Sequence, residues 1–208
     1  MPFYEMLDKD GSVRSCYAEV ERWVAETGIA GLNRRLEEAE AIFRRIGITF
    51  AVYGEGGDPE RLIPFDLLPR IFTAAEWRTL DAGIKQRARA LNAFLHDVYH
   101  RGEIIKAGII PGDLVYKNAA FRPEMLNFSL PGKVYSHIVG IDLVRTGPDS
   151  FQVLEDNCRT PSGVSYMLEN REIMTRMFPD LFGQGVVAPV DNYADQLLKS
   201  MKEVAPPA

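Results

Sequence analysis

Two carboxylates and one amide in the second half of the chain have types and spacing suited to cation binding. The segment Val153–Gly163 reads Val-Leu-Glu-Asp-Asn-Cys-Arg-Thr-Pro-Ser-Gly. If its first part is a strand, Glu155 and Asn157 share one face and Asp156 lies on the other. Oxygen donors at a strand end suit a hard cation such as Mg2+, which keeps positions for phosphate oxygens. The segment therefore predicts half of a metal–phosphate site.

A second carboxylate, Asp142, is expected to complete this site. The apolar run before the turn-rich stretch 146–150 predicts an antiparallel hairpin around a four-residue loop. In that register Asp142 faces Glu155, and Gly140 faces Asn157. Two carboxylates held so close repel each other unless a cation lies between them. Because this repulsion is unfavourable without a bound cation, we expect a metal ion at the pair.

The structural alternative is that these side chains are exposed polar residues near the end of a hairpin. Apolar residues at consecutive positions, which point to opposite faces of a strand, favour a hairpin that is covered on both faces: Leu143, Val144, Val153 and Leu154. Acidic residues are rarely buried without a partner. We therefore expect the metal site rather than the exposed alternative.

The global composition excludes several classes of partner. The chain has 208 residues, of which 46% are hydrophobic and 25% charged, as in an ordinary soluble protein. A net charge of -5 gives no basic surface for nucleic acid or an anionic membrane. We find no apolar run of membrane-spanning length and no amino-terminal signal, so we expect a cytoplasmic protein. Cys16 and Cys158 share no ligand spacing and are expected to be reduced thiols.

Hydrophobic periodicity predicts helices that flank the hairpin. The first helix is expected over Ser12–Ile46, followed by a strand over Gly47–Tyr53 and a turn-rich loop over Gly54–Pro59. That loop lacks the spacing of a phosphate-binding P-loop. A capping box at Thr73–Glu76 opens a helix that runs to about Tyr99.

Two further helices are expected after the hairpin, over Gly163–Phe178 and Asp191–Met201. The first follows the Pro-Ser-Gly loop, and a helix amino terminus favours anions. The pattern divides the chain into a helical and mixed region (1–135), the hairpin with its following helix (136–190) and a short helix with a linker-like end (191–208). His96 and His100 have a spacing that zinc can use, but no acidic pattern supports a zinc site.

Several strings of this sequence resemble the circularly permuted ATP-grasp family, whose members are often described as glutathionylspermidine-synthase-like. The resemblance runs from about residue 3 to residue 178, and its last string is the most specific. The strings are Gly47–Phe50, Pro64–Arg70, Glu76–Trp77, Gln86–Arg87, Ala90–Leu95, Gly140–Arg145 and Val153–Arg171.

The resemblance implies an α/β (α+β) fold: a partial ATP-grasp fold with a helical amino-terminal layer and an antiparallel hairpin that carries the metal motif. It also implies an ATP-dependent ligase that joins a carboxylate to an amine through an acyl phosphate. Such enzymes hold two Mg2+ ions on ATP, and the matching metal ligands are Asp142, Glu155 and Asn157, with Asn157 also near the nucleotide.

The same resemblance suggests the groups that would contact the reacting phosphate and carbonyl. Arg159 is expected to grip the nucleotide and the transferring anion. Backbone N–H groups around Ser162, Gly163 and Ser165 are expected to stabilise an oxyanion.

Members of that family are much longer than this chain, and their other nucleotide-binding elements come later in the sequence. We therefore expect the chain alone to be inactive, to need the ATP-binding half in cis or in trans, and to be open to self-association.

Two other functions compete with this interpretation. A metal-dependent nuclease of the PD-(D/E)xK type would need a lysine where Asn157 stands, and the negative net charge disfavours DNA. A non-catalytic binding or assembly module derived from a ligase could keep the metal ligands without turnover. The residues alone do not decide between this module and a ligase.

Overall fold

The computed structural model describes residues 3–47, 49–50, 61–62, 65–182 and 187–206. They form a mixed α and β protein, as the sequence predicted. The chain divides into two compact units. Unit 1 comprises residues 1–73, 145–150 and 162–193, and unit 2 comprises residues 74–144, 151–161 and 194–208.

Unit 1 begins with a long helix, α1 (Ala18–Ile46), which confirms the first predicted helix over most of its length. Helix α1 starts six residues later than predicted because Val13 forms an antiparallel bridge with Leu7 and a short 3-10 helix, Ser15–Tyr17, precedes the α-helix. Gly28 interrupts α1 with φ 64° and ψ 168°, a conformation that glycine adopts more readily than other residues. Helix α1 ends at Gly47, which is left-handed with φ 78°.

An apolar core holds unit 1 together. Phe43 of α1 and Ile173 of a later helix, α5 (Val164–Met177), are fully buried there. The rings of Trp23 and Phe178 lie 4.3 Å apart in the same cluster. Burying a large apolar side chain contributes about 1.5–3 kcal/mol, so this cluster supplies much of the stability of unit 1.

The strand predicted over Gly47–Tyr53 is described only in part. Two short strands, β1 (Thr49–Phe50) and β2 (Arg61–Leu62), pair antiparallel. The predicted loop over Gly54–Pro59 lies outside the described residues. Unit 1 also contains α5 and a short helix, α6 (Pro179–Phe182). Helix α5 confirms the helix predicted over Gly163–Phe178.

Unit 2 is built on α2 (Ala74–Tyr99), which confirms the helix predicted from Thr73 to about Tyr99. The segment after it contains two short helices, α3 (Glu103–Lys106) and α4 (Gly112–Tyr116). The buried ring of Tyr99 stacks on Phe121 and on Tyr135, with centroid distances of 5.0 and 5.7 Å. Aromatic stacking therefore ties the end of α2 to the chain that follows.

Two strands form the hairpin: β3 (Gly140–Gly147) and β4 (Ser150–Asn157). The last helix, α7 (Tyr193–Val204), begins and ends two or three residues later than predicted. Within the described ranges no helix is long and apolar enough to cross a membrane. The three-part division of the chain made from the sequence stays a prediction.

The tip of the hairpin belongs to unit 1, where Arg145 holds it. The Arg145 side chain is 3% exposed and pairs with the Glu5 carboxylate at 3.2 Å. Its guanidinium also donates to the carbonyl oxygens of Gly147 and Pro148, at 3.2 and 2.6 Å. A buried arginine with these partners fixes the turn between the strands.

Candidate functional site

The hairpin has the register that the sequence predicted, although its turn is shorter. Gly147 and Ser150 remain in the strands, so the turn contains two residues rather than the predicted four. At the other end, a Cβ built on Gly140 would lie 3.5 Å from the Cβ of Asn157. Gly140 and Asn157 are therefore neighbours across the pair of strands, and Asp142 in this register lies level with Glu155.

Glu155 and Asn157 contact each other on one face of β4. The Asn157 Nδ2 group donates to Glu155 Oε1 at 3.1 Å, so alternate residues of the strand share a face here. Both side chains are exposed, and Asp142 on the neighbouring strand is exposed as well. The hairpin thus presents two carboxylates and an amide on one accessible surface.

The expectation that the hairpin is covered on both faces was wrong. Leu154 is 70% exposed, and Val144 on the other face is also exposed. A sheet does not cover its own faces, and the exposure of these two side chains shows that no other element of the described residues packs closely over them. Water screens the repulsion between the exposed carboxylates of Asp142 and Glu155. Burial of these carboxylates is therefore not a reason to expect a metal ion between them.

The loop after β4 approaches the start of β3 closely. A Cβ added to Gly140 would lie 2.9 Å from the Cβ of Pro161, a separation that real Cβ atoms essentially never show. Glycine at position 140 therefore lets the loop pack directly beside the strand end that carries Asn157.

Asp156 lies on the opposite face of β4 and is engaged by α2. Its two carboxylate oxygens accept from Arg87 Nε at 2.7 Å and from Arg87 Nη2 at 2.6 Å. This bidentate ion pair lowers the pKa of the Asp156 carboxyl below its ordinary value. No local sequence pattern identifies this partner, because 69 residues separate the pair along the chain.

A second set of contacts ties α2 to the segment before the hairpin and to the end of β4. The Asn92 side chain accepts from the backbone N–H groups of Tyr135 and Ser136, at 2.7 and 2.9 Å. It donates to the carbonyl oxygens of Ser136 and Ala88, at 2.9 and 3.1 Å. The buried Ser136 hydroxyl then donates to the carbonyl oxygen of Cys158. The role of Asn92 was not predicted from the sequence either. Asparagine is unfavourable within a helix, so its position in α2 was a signal that its side chain could bond the backbone of another segment.

The two cysteines are free thiols, as expected. Burial raises the pKa of the Cys158 thiol, which disfavours the thiolate that a nucleophile requires. His96 and His100 are half-buried, and His96 lies in the last turn of α2. The Nδ1 atom of each lies 3.3 Å from the Tyr135 hydroxyl.

The remaining predicted site residues fall in different units. Arg159 is exposed and belongs to unit 2, with Asp142, Glu155 and Asn157. Ser162, Gly163 and Ser165 belong to unit 1. Gly163 is the amino-terminal cap of α5, with φ 92°, and both serines are exposed.

Across the described parts of the chain, no three His, Cys, Asp or Glu side chains cluster in a way that could hold a metal ion. The candidate set has two such carboxylates, and its third oxygen donor is an amide. Its role in metal binding stays a prediction.

A family model described as a circularly permuted ATP-grasp matches residues 69–208 of the chain. This region includes all of α2, the hairpin and α5. The chain belongs to the circularly permuted ATP-grasp family. The matched region contains each of the predicted site residues and their partners on α2.

Several relatives extend the likeness to almost the whole chain. An uncharacterized protein of Synechocystis sp. is 42% identical over 206 residues, covering 99% of this chain and 43% of the relative. An uncharacterized protein of Mycobacterium tuberculosis is 41% identical over 205 residues, covering 99% and 36% respectively. A Frankia casuarinae protein named "Putative glutamate--cysteine ligase 2-2" is 36% identical over 204 residues, covering 98% and 23%. The chain therefore spans less than half the length of these relatives.

Proposed function

We propose that this chain supplies the magnesium–phosphate half-site of an ATP-dependent ligase that joins a carboxylate to an amine. Membership of the ATP-grasp family supports this function, and so does the name of the Frankia relative. The observation that carries the proposal is the contact between the exposed side chains of Glu155 and Asn157 on one face of β4. The strand beside it carries Asp142 on the same face.

The donor set fits Mg2+. Asp142, Glu155 and Asn157 offer carboxylate and amide oxygens, the hard donors that Mg2+ prefers. The Asn157 amide donates its N–H to Glu155, which leaves its oxygen available as a ligand. We propose that these residues hold two Mg2+ ions on the phosphates of ATP. When bound, Mg2+–ATP supplies the phosphoryl group that activates the substrate carboxylate as an acyl phosphate.

The other predicted site residues would contact anionic groups. Arg159 is exposed and can approach a phosphate or a carboxylate with its planar guanidinium. Ser162, Gly163 and Ser165 lie at the amino terminus of α5, where N–H groups lack helical partners and favour negative charge. We propose that these groups stabilise the oxyanion when the amine attacks. The remaining nucleotide-binding elements would come from residues outside this chain, in cis or in trans.

Calorimetric titration with ATP, in the presence and absence of Mg2+, tests the half-site. We expect Glu155→Gln to weaken the Mg2+-dependent binding by about tenfold or more, because it removes a charged ligand. The matched control is Glu124→Gln, which neutralises an exposed carboxylate of the same unit outside the hairpin. Equal losses for the two variants would contradict the assignment.

An assay of ADP release with the same protein distinguishes half of a ligase from a non-catalytic module. The expected result for the chain alone is Mg2+-dependent ATP binding without ADP release when carboxylate and amine substrates are added. Addition of the remaining part of a full-length relative should then start ADP release. Binding that never leads to ADP release would favour the non-catalytic module.

A further inference from the structure

Asp156 lies between two proposed ligands in sequence but points away from them. Glu155 and Asn157 share one face of β4, whereas the Asp156 carboxylate lies on the other face, 16% exposed. Arg87 engages both of its oxygens, at 2.7 and 2.6 Å. Two parallel hydrogen bonds fix the direction of a carboxylate as well as its distance, which a single ion contact does not.

The residue after Asn157 is held from the same helix. Asn92 of α2 bonds the backbone of Tyr135 and Ser136, and the Ser136 hydroxyl bonds the Cys158 carbonyl. Positions 156 and 158 are therefore both tied to α2, one directly and one through Ser136. Asn157 lies between these two attachments.

A two-stranded hairpin needs such support to present ligands at fixed positions. Two-stranded ribbons twist more than larger sheets and are marginally stable by themselves. Because successive side chains of a strand point to opposite faces, fixing the direction of Asp156 also fixes the opposite direction of Glu155 and Asn157. Mg2+ demands nearly ideal ligand geometry, so the orientation of these side chains controls affinity.

We propose that Arg87 and Asp156 are positioning residues that orient Glu155 and Asn157 for binding of Mg2+ and phosphate. The pair acts from the far side of the strand and does not touch the cation itself. This inference rests on the proposed function for the identity of the bound group. The orientation of the two side chains can be measured without any ligand.

The first test is a titration of Mg2+ and ATP into Arg87→Met. The control is Lys85→Met, which removes another cation of α2 whose partner, Asp81, lies 2.7 Å away on the same helix. We expect Arg87→Met to weaken Mg2+-dependent ATP binding by about tenfold, since loss of a residue that orients metal ligands typically costs 10–100-fold. Lys85→Met should bind like the wild type, and ATP binding without Mg2+ should be unchanged in both variants.

The reversed pair, Arg87→Asp with Asp156→Arg, separates positioning from charge alone. It keeps the ion pair and the net charge, so partial recovery of the affinity lost in Arg87→Met supports the proposal. Arg87→Lys should not recover it, because an ammonium group does not reproduce two parallel hydrogen bonds. If Arg87→Lys kept the full affinity for Mg2+ and ATP, the two parallel hydrogen bonds of Arg87 would not be the reason for tight binding.

The second test uses NMR of the ligand-free protein and separates this inference from the proposed function. The Asn157 Nδ2 protons bond Glu155, so their resonances report the contact directly. We expect Arg87→Met to shift these resonances and Lys85→Met to leave them in place. If the wild type does not bind Mg2+–ATP, the proposed function fails, and these resonances still decide whether the pair orients the two side chains. Unchanged Asn157 resonances together with unchanged affinity in Arg87→Met would overturn the inference and leave a purely structural ion pair.

Discussion

The two units are held together by different chemistry. Unit 1 has a cluster of buried apolar side chains between α1 and α5, centred on Phe43 and Ile173. Unit 2 relies more on directional contacts around α2, namely the hydrogen bonds of Asn92, the Arg87–Asp156 ion pair and the stacked ring of Tyr99.

The difference matters because the proposed metal ligands lie in unit 2. Apolar packing gives large stability, but it sets side-chain directions less strictly than hydrogen bonds do. A site that must present oxygen atoms in fixed directions benefits from directional support. Loss of one contact should therefore affect stability most in unit 1 and ligand orientation most in unit 2.

The largest effect on stability is expected for Phe43→Ala in unit 1. Phe43 is 0% exposed, and replacing a buried phenylalanine by alanine costs about 3–5 kcal/mol because a cavity remains. The control Ile29→Ala changes a residue of the same helix that is 80% exposed, and it should cost less than about 0.5 kcal/mol. Chemical denaturation measures both values. If both variants lost a similar amount of unfolding free energy, the apolar cluster around Phe43 would not be a main source of stability in unit 1.

An intermediate effect is expected for Asn92→Ala in unit 2. The substitution removes four hydrogen bonds to the backbone and leaves part-buried N–H and C=O groups without their partner. We expect a loss of about 2 kcal/mol in the free energy of unfolding. Gln86→Ala on an exposed position of the same helix is the control. A loss no greater than that of the control would show that Asn92 does not support this unit.

The smallest effect on stability is expected for Asp156, and it should depend on pH. The folded-state pKa of Asp156 is lowered by Arg87, so its contribution is present above the unfolded pKa of about 3.9. That contribution is lost as the pH falls through the folded-state pKa. The stability difference between wild type and Asp156→Asn should therefore shrink below about pH 4.

Titration of the Asp156 carboxyl by NMR provides a direct measurement. Its pKa should lie below the ordinary value in the wild type and rise in Arg87→Met. The same pKa in both proteins would contradict the assigned cause.

Local patterns predicted much of this fold. The apolar stripe of α2 gave its extent, and the turn signals at 146–150 gave the register of the hairpin, because both depend on residues that are close in sequence. The alternation of Glu155, Asp156 and Asn157 followed from strand geometry alone.

Features that depend on distant residues were missed. Asp156 and Arg87 lie 69 positions apart, and Asn92 and Ser136 lie 44 positions apart, so no local pattern links them. The exposure of Leu154 was also missed, because an apolar strand residue is buried only when another element covers it. Burial is a property of tertiary packing that alternation along one strand does not encode.

The close approach at Gly140 has an evolutionary consequence. Any side chain there would begin with a Cβ 2.9 Å from the Cβ of Pro161, so substitution requires the loop after β4 to move. Asn157 is the neighbour of Gly140 across the hairpin, and a displaced loop would move the backbone beside it. A substitution of this glycine therefore displaces the loop even when the sequence of the loop itself is unchanged. We therefore expect a relative with another residue at position 140 to hold this loop, and the backbone beside Asn157, in a different position.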